Sequence, residues 1–222
     1  AHHAQRPRHP GNPQPPQGPA MMLRYSLLIA LLFIGGCVHR GSLTPPQDIQ
    51  EHQRQLQAIG GWQLTGKLGI RTADDSGSAS LKWDQQLANY QINLSGPLGQ
   101  KRMIITGTPD KVRLEQTGEP AQEAKTAEAL IKKAVGWTLP VAQLTYWVRG
   151  IPAPKLRITH LQQNADGLLD QLSQGNWNLT YSNYRDQSFN GTTLPLPGKI
   201  TAEYNDVRLV LVIRDWRLGA AQ

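Results

Sequence analysis

Trp62-Gln63-Leu64-Thr65-Gly66-Lys67-Leu68-Gly69-Ile70 decides the architecture. Trp62, Leu64, Gly66, Leu68 and Ile70 take every second position and polar or small residues fill the gaps, which is the period-two signature of a strand with one buried face. Asp74-Asp75-Ser76-Gly77 then supplies a turn, after which Ala79, Leu81 and Trp83 point one way while Ser80, Lys82 and Asp84 point the other. Tyr90, Ile92 and Leu94 repeat the alternation. Ser95-Gly96-Pro97-Leu98-Gly99-Gln100 interrupts it, and Met103-Ile104-Ile105, then Val112 and Leu114, resume it on either side of Gly107-Thr108-Pro109-Asp110. Five strands joined in this way predict an antiparallel meander.

Working outward, the stretch from Gln47 to Gln57 before the meander reads as a short helix that ends at Gly60-Gly61. After the meander the period becomes helical: Ala127, Leu130, Ile131 and Ala134 share a face, Thr126 is the N-cap candidate, and Lys132, Lys133 and Gly136 mark the end. A second helix opens at Pro140, gathers Val141, Leu144, Trp147 and Val148 on one side, and stops at Gly150. Strands return at Leu156 to Leu161, Leu168 to Leu172, Trp177 to Ser182, Lys199 to Tyr204 and Val207 to Trp216, with turns at Gln174-Gly175-Asn176 and Asn205-Asp206. The expected fold is mainly β with a helical lid: a half-open antiparallel β-barrel of about ten to eleven strands whose open side the helical pair covers.

The single cysteine, Cys37, closes the apolar run Leu27-Leu28-Ile29-Ala30-Leu31-Leu32-Phe33-Ile34-Gly35-Gly36. Arg24 ahead of that run, its shortness for a membrane span, and the small residues beside Cys37 give the pattern of a bacterial lipoprotein signal peptide. Residues 1–20, rich in Pro, Gln, His and Gly, are expected to be an unstructured upstream extension, 21–36 the signal, 37–46 a lipidated tether and 47–222 the folded domain. In lipoprotein precursors such a cysteine carries a diacylglycerol on its thiol and an acyl chain on its amine, at about 0.8 kcal/mol of anchoring per buried CH₂. Val38 follows it, whereas an aspartate there commonly marks retention at the inner membrane, so outer-membrane delivery is expected. Losing Arg6, Arg8 and Arg24 with the signal lowers the formal charge from +7 to +4. The remaining Lys and Arg are spread along strands, an arrangement that argues against nucleic acid as a partner.

The residues also argue against catalysis. After the signal the chain has only His39, His52 and His160, with no Gly-x-Ser-x-Gly and no histidines at metal-ligand spacing. His160 falls in the apolar alternation Leu156, Ile158, His160 and reads as a satisfied strand histidine. Asp74-Asp75 and Glu203 have no third group to complete a catalytic set. Lys101-Arg102 reads either as a solvated strand end or as a contact for headgroups or a partner. Asn190-Gly191-Thr192 matches a glycosylation pattern that a bacterial lipoprotein signal makes uninformative.

Two sets of residues suggest ligand handling. Leu98, held by Gly96, Pro97 and Gly99, sits at the tip of a tight turn; read from the residues alone it either projects into solvent or folds back onto the core. Trp83, Ile105, Leu130, Leu144 and Trp147 lie on apolar faces of strands or of the helical pair and are candidates to line an acyl-binding cavity, although periodicity does not separate a lined cavity from a filled one.

From Gly60 to Trp216 the chain resembles the LolB family of outer-membrane lipoprotein receptors. The resemblance rests on Trp62 with Gly66, Trp83, Tyr90, Gly96-Pro97-Leu98-Gly99, Ala127 with Leu130, Gly136, Pro140, Trp147, Gly150-Ile151-Pro152, Trp177, Tyr181, Tyr184, Pro197 and Trp216, in that order, behind a lipid-acceptor cysteine. It implies an incomplete barrel that encloses an apolar cavity, and a monomeric receptor that takes triacylated lipoproteins from the periplasmic carrier LolA. Cargo is then inserted into outer-membrane lipids without nucleotide, and the protruding Leu98 assists release. The implied ligands are the covalent lipid on Cys37 and the acyl chains of cargo, with no other cofactor and no metal. A half-barrel lipoprotein that senses another acylated ligand in a periplasmic regulatory role is the alternative, and a structural envelope protein with a filled barrel is a third.

Overall fold

The period-two segments become strands of one sheet. In the computed structural model, which describes residues 43–99 and 101–219, α1 (Ile49–Ala58) leads into β1 (Gly61–Arg71), β2 (Ser76–Gln86), β3 (Asn89–Ser95), β4 (Arg102–Gly107), β5 (Val112–Gln116) and β6 (Glu119–Ala124). The helical pair α2 (Ala127–Val135) and α3 (Val141–Trp147) follows, then β7 (Ile158–Gln163), β8 (Leu169–Gln174), β9 (Trp177–Ser182), β10 (Arg185–Phe189), β11 (Thr192–Leu196), β12 (Lys199–Tyr204) and β13 (Val207–Gly219). Eleven of these strands make one antiparallel sheet in the order β6-β5-β4-β3-β2-β1-β13-β12-β9-β8-β7, and β10–β11 form a separate hairpin. β1 pairs with β13, joining the two ends of the domain, while β6 and β7 remain unpaired edges. The barrel is therefore open.

Two inward rows explain the core. Leu64, Trp83, Ile92, Ile105 and Leu114 stand opposite one another across β1 to β5, and Leu68, Leu211, Ile200 and Tyr181 across β1, β13, β12 and β9. Trp62 packs on Trp83 and Trp216 at ring-centroid separations of 5.2 and 5.5 Å, closing one end of the half-barrel with three large side chains. The register shifts between Thr65 and Gly66, where a Cβ on Gly66 would run into the Val212 carbonyl. The Tyr90 ring lies over Gly107 in the same way, leaving no room for a side chain there. The buried apolar residues between Leu56 and Trp216 fall, Leu68 apart, in one contiguous core, so the segment from Leu43 to Gly219 is a folding unit in its own right.

The helix ends follow their caps. Asp48 accepts from Gln50 N at 2.8 Å and Glu51 N at 3.1 Å to start α1; Thr126 accepts from Ala129 N at 3.3 Å to start α2. Gly136, in the left-handed region at φ 81°, ends α2. Pro140 caps α3 without a side-chain bond of its own, and Glu128 of α2 supplies one by accepting from Ala142 N at 3.3 Å.

The structure departs from the sequence expectation in four places. β6 extends the meander to six strands; Glu119-Pro120-Ala121-Gln122-Glu123-Ala124 has no apolar alternation because it is a largely exposed edge. The β10–β11 hairpin was unexpected, and it turns through Asn190 and Gly191 at φ 49° and 76°. Ser76 and Gly77 belong to β2, paired with Arg71 and Ile70, so the first hairpin turns over Thr72–Asp75. Lastly β7 is exposed along its whole length, His160 included, with Ile158 at 43% and Leu161 at 42%. As the sheet's other edge it has no second layer against which to bury an apolar face.

Candidate functional site: an apolar cavity beneath a helical lid

Antiparallel pairing brings the turns β1–β2, β3–β4, β5–β6, β8–β9 and β12–β13 to the same rim of the half-barrel. Inside, an exclusively apolar cavity is walled by Leu68, Leu81, Trp83 and Leu94 of the meander and by Ile200 and Leu211 on the opposite side, with Leu139 and Leu144 of the helical segment as its roof. Its free volume is about 30 Å³, an order of magnitude below the ~300 Å³ at which ligand pockets begin. Trp83 and Leu144 are thus on the cavity wall. Ile105, Leu130 and Trp147, each at most 3% exposed, are packed into the surrounding core.

The roof is held unequally at its two ends. At the C-terminal end of α3, Trp147 Nε1 donates to Gln174 Oε1 at 2.8 Å, and that oxygen also accepts from Ala153 N at 2.8 Å. Gln174 Nε2 donates to the Ala153 and Leu156 carbonyls at 2.8 and 3.1 Å. Gln174 is 1% exposed with both ends of its amide satisfied. Two residues past Trp147, the buried Arg149 donates to the carbonyls of Leu56 at 2.8 Å and Ile59 at 3.2 Å at the C-terminus of α1, and to Thr145 O at 3.1 Å. Burial lowers its pKa to about 10, so it remains a cation, facing the negative end of the α1 dipole and lying over the Tyr146 ring at 5.5 Å. Leu139, Leu144 and the buried face of α2 (Ala127, Leu130, Ile131) instead meet the sheet through apolar contact.

The β3–β4 connection is a single 3₁₀ turn, Pro97–Gly99, in which Gly99 N donates to Gly96 O at 3.1 Å; Gly99 at φ 76° and Lys101 at φ 54° reverse the chain. Pro97 and Gly99 are exposed at the cavity rim, three and five residues beyond the cavity-lining Leu94. The Leu98 side chain lies outside the described residues, as do Cys37 and the signal. Arg102, just past the turn, donates to Asn93 Oδ1 at 3.2 Å. Among the described residues no group of His, Cys, Asp or Glu gathers to hold a metal, and no helix is long and apolar enough to cross a membrane. The interior contains two buried polar atoms without a hydrogen-bond partner among the described residues, Gln122 Oε1 and Tyr181 Oη.

The sequence model of the family described as Outer membrane lipoprotein LolB matches residues 60–216. The chain belongs to the LolB family. It is 60% identical over 201 residues to the outer-membrane lipoprotein LolB of Cellvibrio japonicus, covering 89% of this chain and 99% of that one. Against LolB of Pseudomonas putida it is 38% identical over 204 residues, with coverage of 89% and 97%. Among solved structures, a LolA superfamily protein from Nitrosomonas europaea aligns with a TM-score of 0.46 at 11% identity over 80% of this chain and 94% of that one. As a LolB family member, this is a lipid-anchored outer-membrane protein with a lipoprotein-receptor role.

The fold accounts for several residues on which the LolB resemblance rests. Gly150, at φ 75°, lies under Pro197 and Tyr184, whose nearest atoms stand 3.2 Å from where its Cβ would be. Tyr184 Oη donates to Leu169 O at 2.6 Å, and Trp216 Nε1 to Pro197 O at 3.4 Å. Residues far apart in the chain thus form one closed seam. Sequence reasoning missed Gln174, Arg149 and Leu139. Gln174 reads as the first residue of a turn, and Arg149 as a polar helix-end residue; their roles arise only from the segments that fold back over them.

Proposed function

We propose that this chain is the outer-membrane receptor that takes triacylated lipoproteins from the periplasmic carrier LolA and passes them into the membrane, with no nucleotide hydrolysis and no catalytic group. The observation that carries this reading is the all-apolar cavity at the Leu98 rim, roofed by helices that are pinned at one end only. Acyl chains need a surface that makes no polar demand and a volume that can grow, and the free volume of about 30 Å³ grows when the roof lifts. The pins at Gln174 and Arg149 act as the hinge. α2, Leu139 and the start of α3 swing out, and Trp83, Leu144 and, deeper in, Ile105, Leu130 and Trp147 meet the incoming chains. Direction comes from tighter acyl binding here than in the carrier, about tenfold for each 1.4 kcal/mol. The membrane is the final sink. Cys37 carries the anchoring lipid, and Leu98 with Gly96, Pro97 and Gly99 promotes release at the bilayer.

The test is transfer. Purified LolA loaded with a labelled triacylated lipoprotein is mixed with the segment from Val38 onward, without nucleotide. One-way movement of label to the receptor is expected. A folded receptor that acquires no label refutes the reading and turns attention to an acyl-sensing role.

A further inference from the structure

Tyr181 stands beside the cavity lining, next to Ile200, with a hydroxyl that packing does not explain. Cross-strand pairing sets Leu68 opposite Leu211, Leu211 opposite Ile200, and Ile200 opposite Tyr181. The first three line the cavity, so Tyr181 is the next side chain in the same inward row. It is 4% exposed, and its hydroxyl is buried without a hydrogen-bond partner among the described residues. The nearby Tyr184 shows the ordinary solution, an Oη that donates to the Leu169 carbonyl at 2.6 Å. A phenylalanine at 181 would fill the same space without the desolvation cost of a lone hydroxyl, so the apolar wall alone gives no reason for the phenol.

We propose that the Tyr181 hydroxyl is a specificity-determining donor for cargo, hydrogen-bonding an acyl carbonyl oxygen, ester or amide, when chains enter the opened cavity. The proposal rests on the receptor reading above. Hydrocarbon presents no acceptor, whereas each acyl chain of a triacylated cysteine begins with a carbonyl, two as esters and one as an amide. A purely apolar wall grips a chain equally well at any depth. One donor fixed beside that wall gives the chain a register: the carbonyl stops at Tyr181 and the methylenes beyond it take the space bounded by Leu68, Ile200 and Leu211. The same bond discriminates acylated ligands from bare hydrocarbon, because a carbonyl buried without a donor would be penalised.

The experiment compares the segment from Val38 onward with its Tyr181→Phe variant, using methyl decanoate and undecane as competitors of a fluorescent apolar dye. The expected result is that the ester's affinity relative to the alkane falls about three- to tenfold in Tyr181→Phe, while alkane affinity and the thermal midpoint stay the same or rise. Tyr184→Phe, which breaks the bond to Leu169, should do the opposite: lower the midpoint and leave the ester preference intact. An unchanged ester preference in Tyr181→Phe overturns the proposal, and so does an equal loss of both competitors, which would mark a packing role. If the unmodified segment binds neither competitor, the receptor reading fails with it, a result distinct from the first two.

Discussion

Gln174→Met removes the pin at the C-terminal end of the roof while nearly conserving side-chain volume. The buried amide makes four hydrogen bonds, to Trp147 Nε1, Ala153 N, Ala153 O and Leu156 O. The substitution leaves two N–H donors with no acceptor in a water-excluded site, at about 1–3 kcal/mol each. The two carbonyls can share other donors and add less. The expected loss is about 4 kcal/mol, a large fraction of the 5–15 kcal/mol typical of a whole domain. With a urea slope of about 2 kcal/mol per molar, the unfolding midpoint of the segment from Val38 onward should fall by about 2 M. Tryptophan fluorescence follows the transition, since Trp147 and Trp177, 6.3 Å apart, flank the network. Gln162→Met is the control: its one side-chain bond, to Asp170 at 3.2 Å, is exposed, so its midpoint should barely move. A shift in Gln174→Met no larger than in Gln162→Met would refute the claim that this amide pins the roof.

Ala202→Val adds two methyl groups beside the cavity wall and should stabilise the fold by up to about 0.7 kcal/mol, taking 30 Å³ of void at about 24 cal/mol per Å³, while lowering acyl-probe affinity; unchanged affinity would place the acyl chains elsewhere. Leu98→Glu should leave folding and uptake from the carrier intact and impair insertion of cargo into liposomes, and normal insertion by the folded variant would remove Leu98 from the release step. His52 is buried on α1 and burial lowers its pKa. The unfolded chain then takes up the proton first as pH falls below 6.5, so the histidine's contribution is intact above that value and declines toward the lower folded pKa. His52→Leu should flatten stability between pH 7 and 5 in denaturant titrations, and an unaltered slope would show that His52 is not the group responsible.

The meander was legible because Trp62 to Leu114 alternate with one wet and one dry face, and α2 and α3 because their caps and apolar stripes agree. The β10–β11 hairpin carried a readable signal in Asn190-Gly191, a pair suited to a turn with two positive φ values, but its strands Arg185–Phe189 and Thr192–Leu196 alternate weakly. β7 misled in the other direction: Ile158 and Leu161 look like core residues, yet an edge strand with nothing packed on it leaves them in solvent. Trp83 and Trp147 have the same apolar pattern, but one borders free volume while the other is bonded to Gln174. Periodicity reports which face is dry. It carries no information on how much space lies between two dry faces, nor on whether a buried hydroxyl such as that of Tyr181 finds an acceptor.

The unpaired edges β6 and β7 have a mechanical consequence. In a closed barrel, strand number and stagger fix the circumference, and a wider bore requires hydrogen-bond ladders to break or slip. Here eleven strands in a single row leave the circumference free. Uncoiling the sheet by a few degrees at each of its strand-to-strand joints would move the two edges far apart while every ladder stays intact. In the proposed receptor role this gives room to guests of different girth, the sheet flexing like a leaf spring with the strain shared along the whole row.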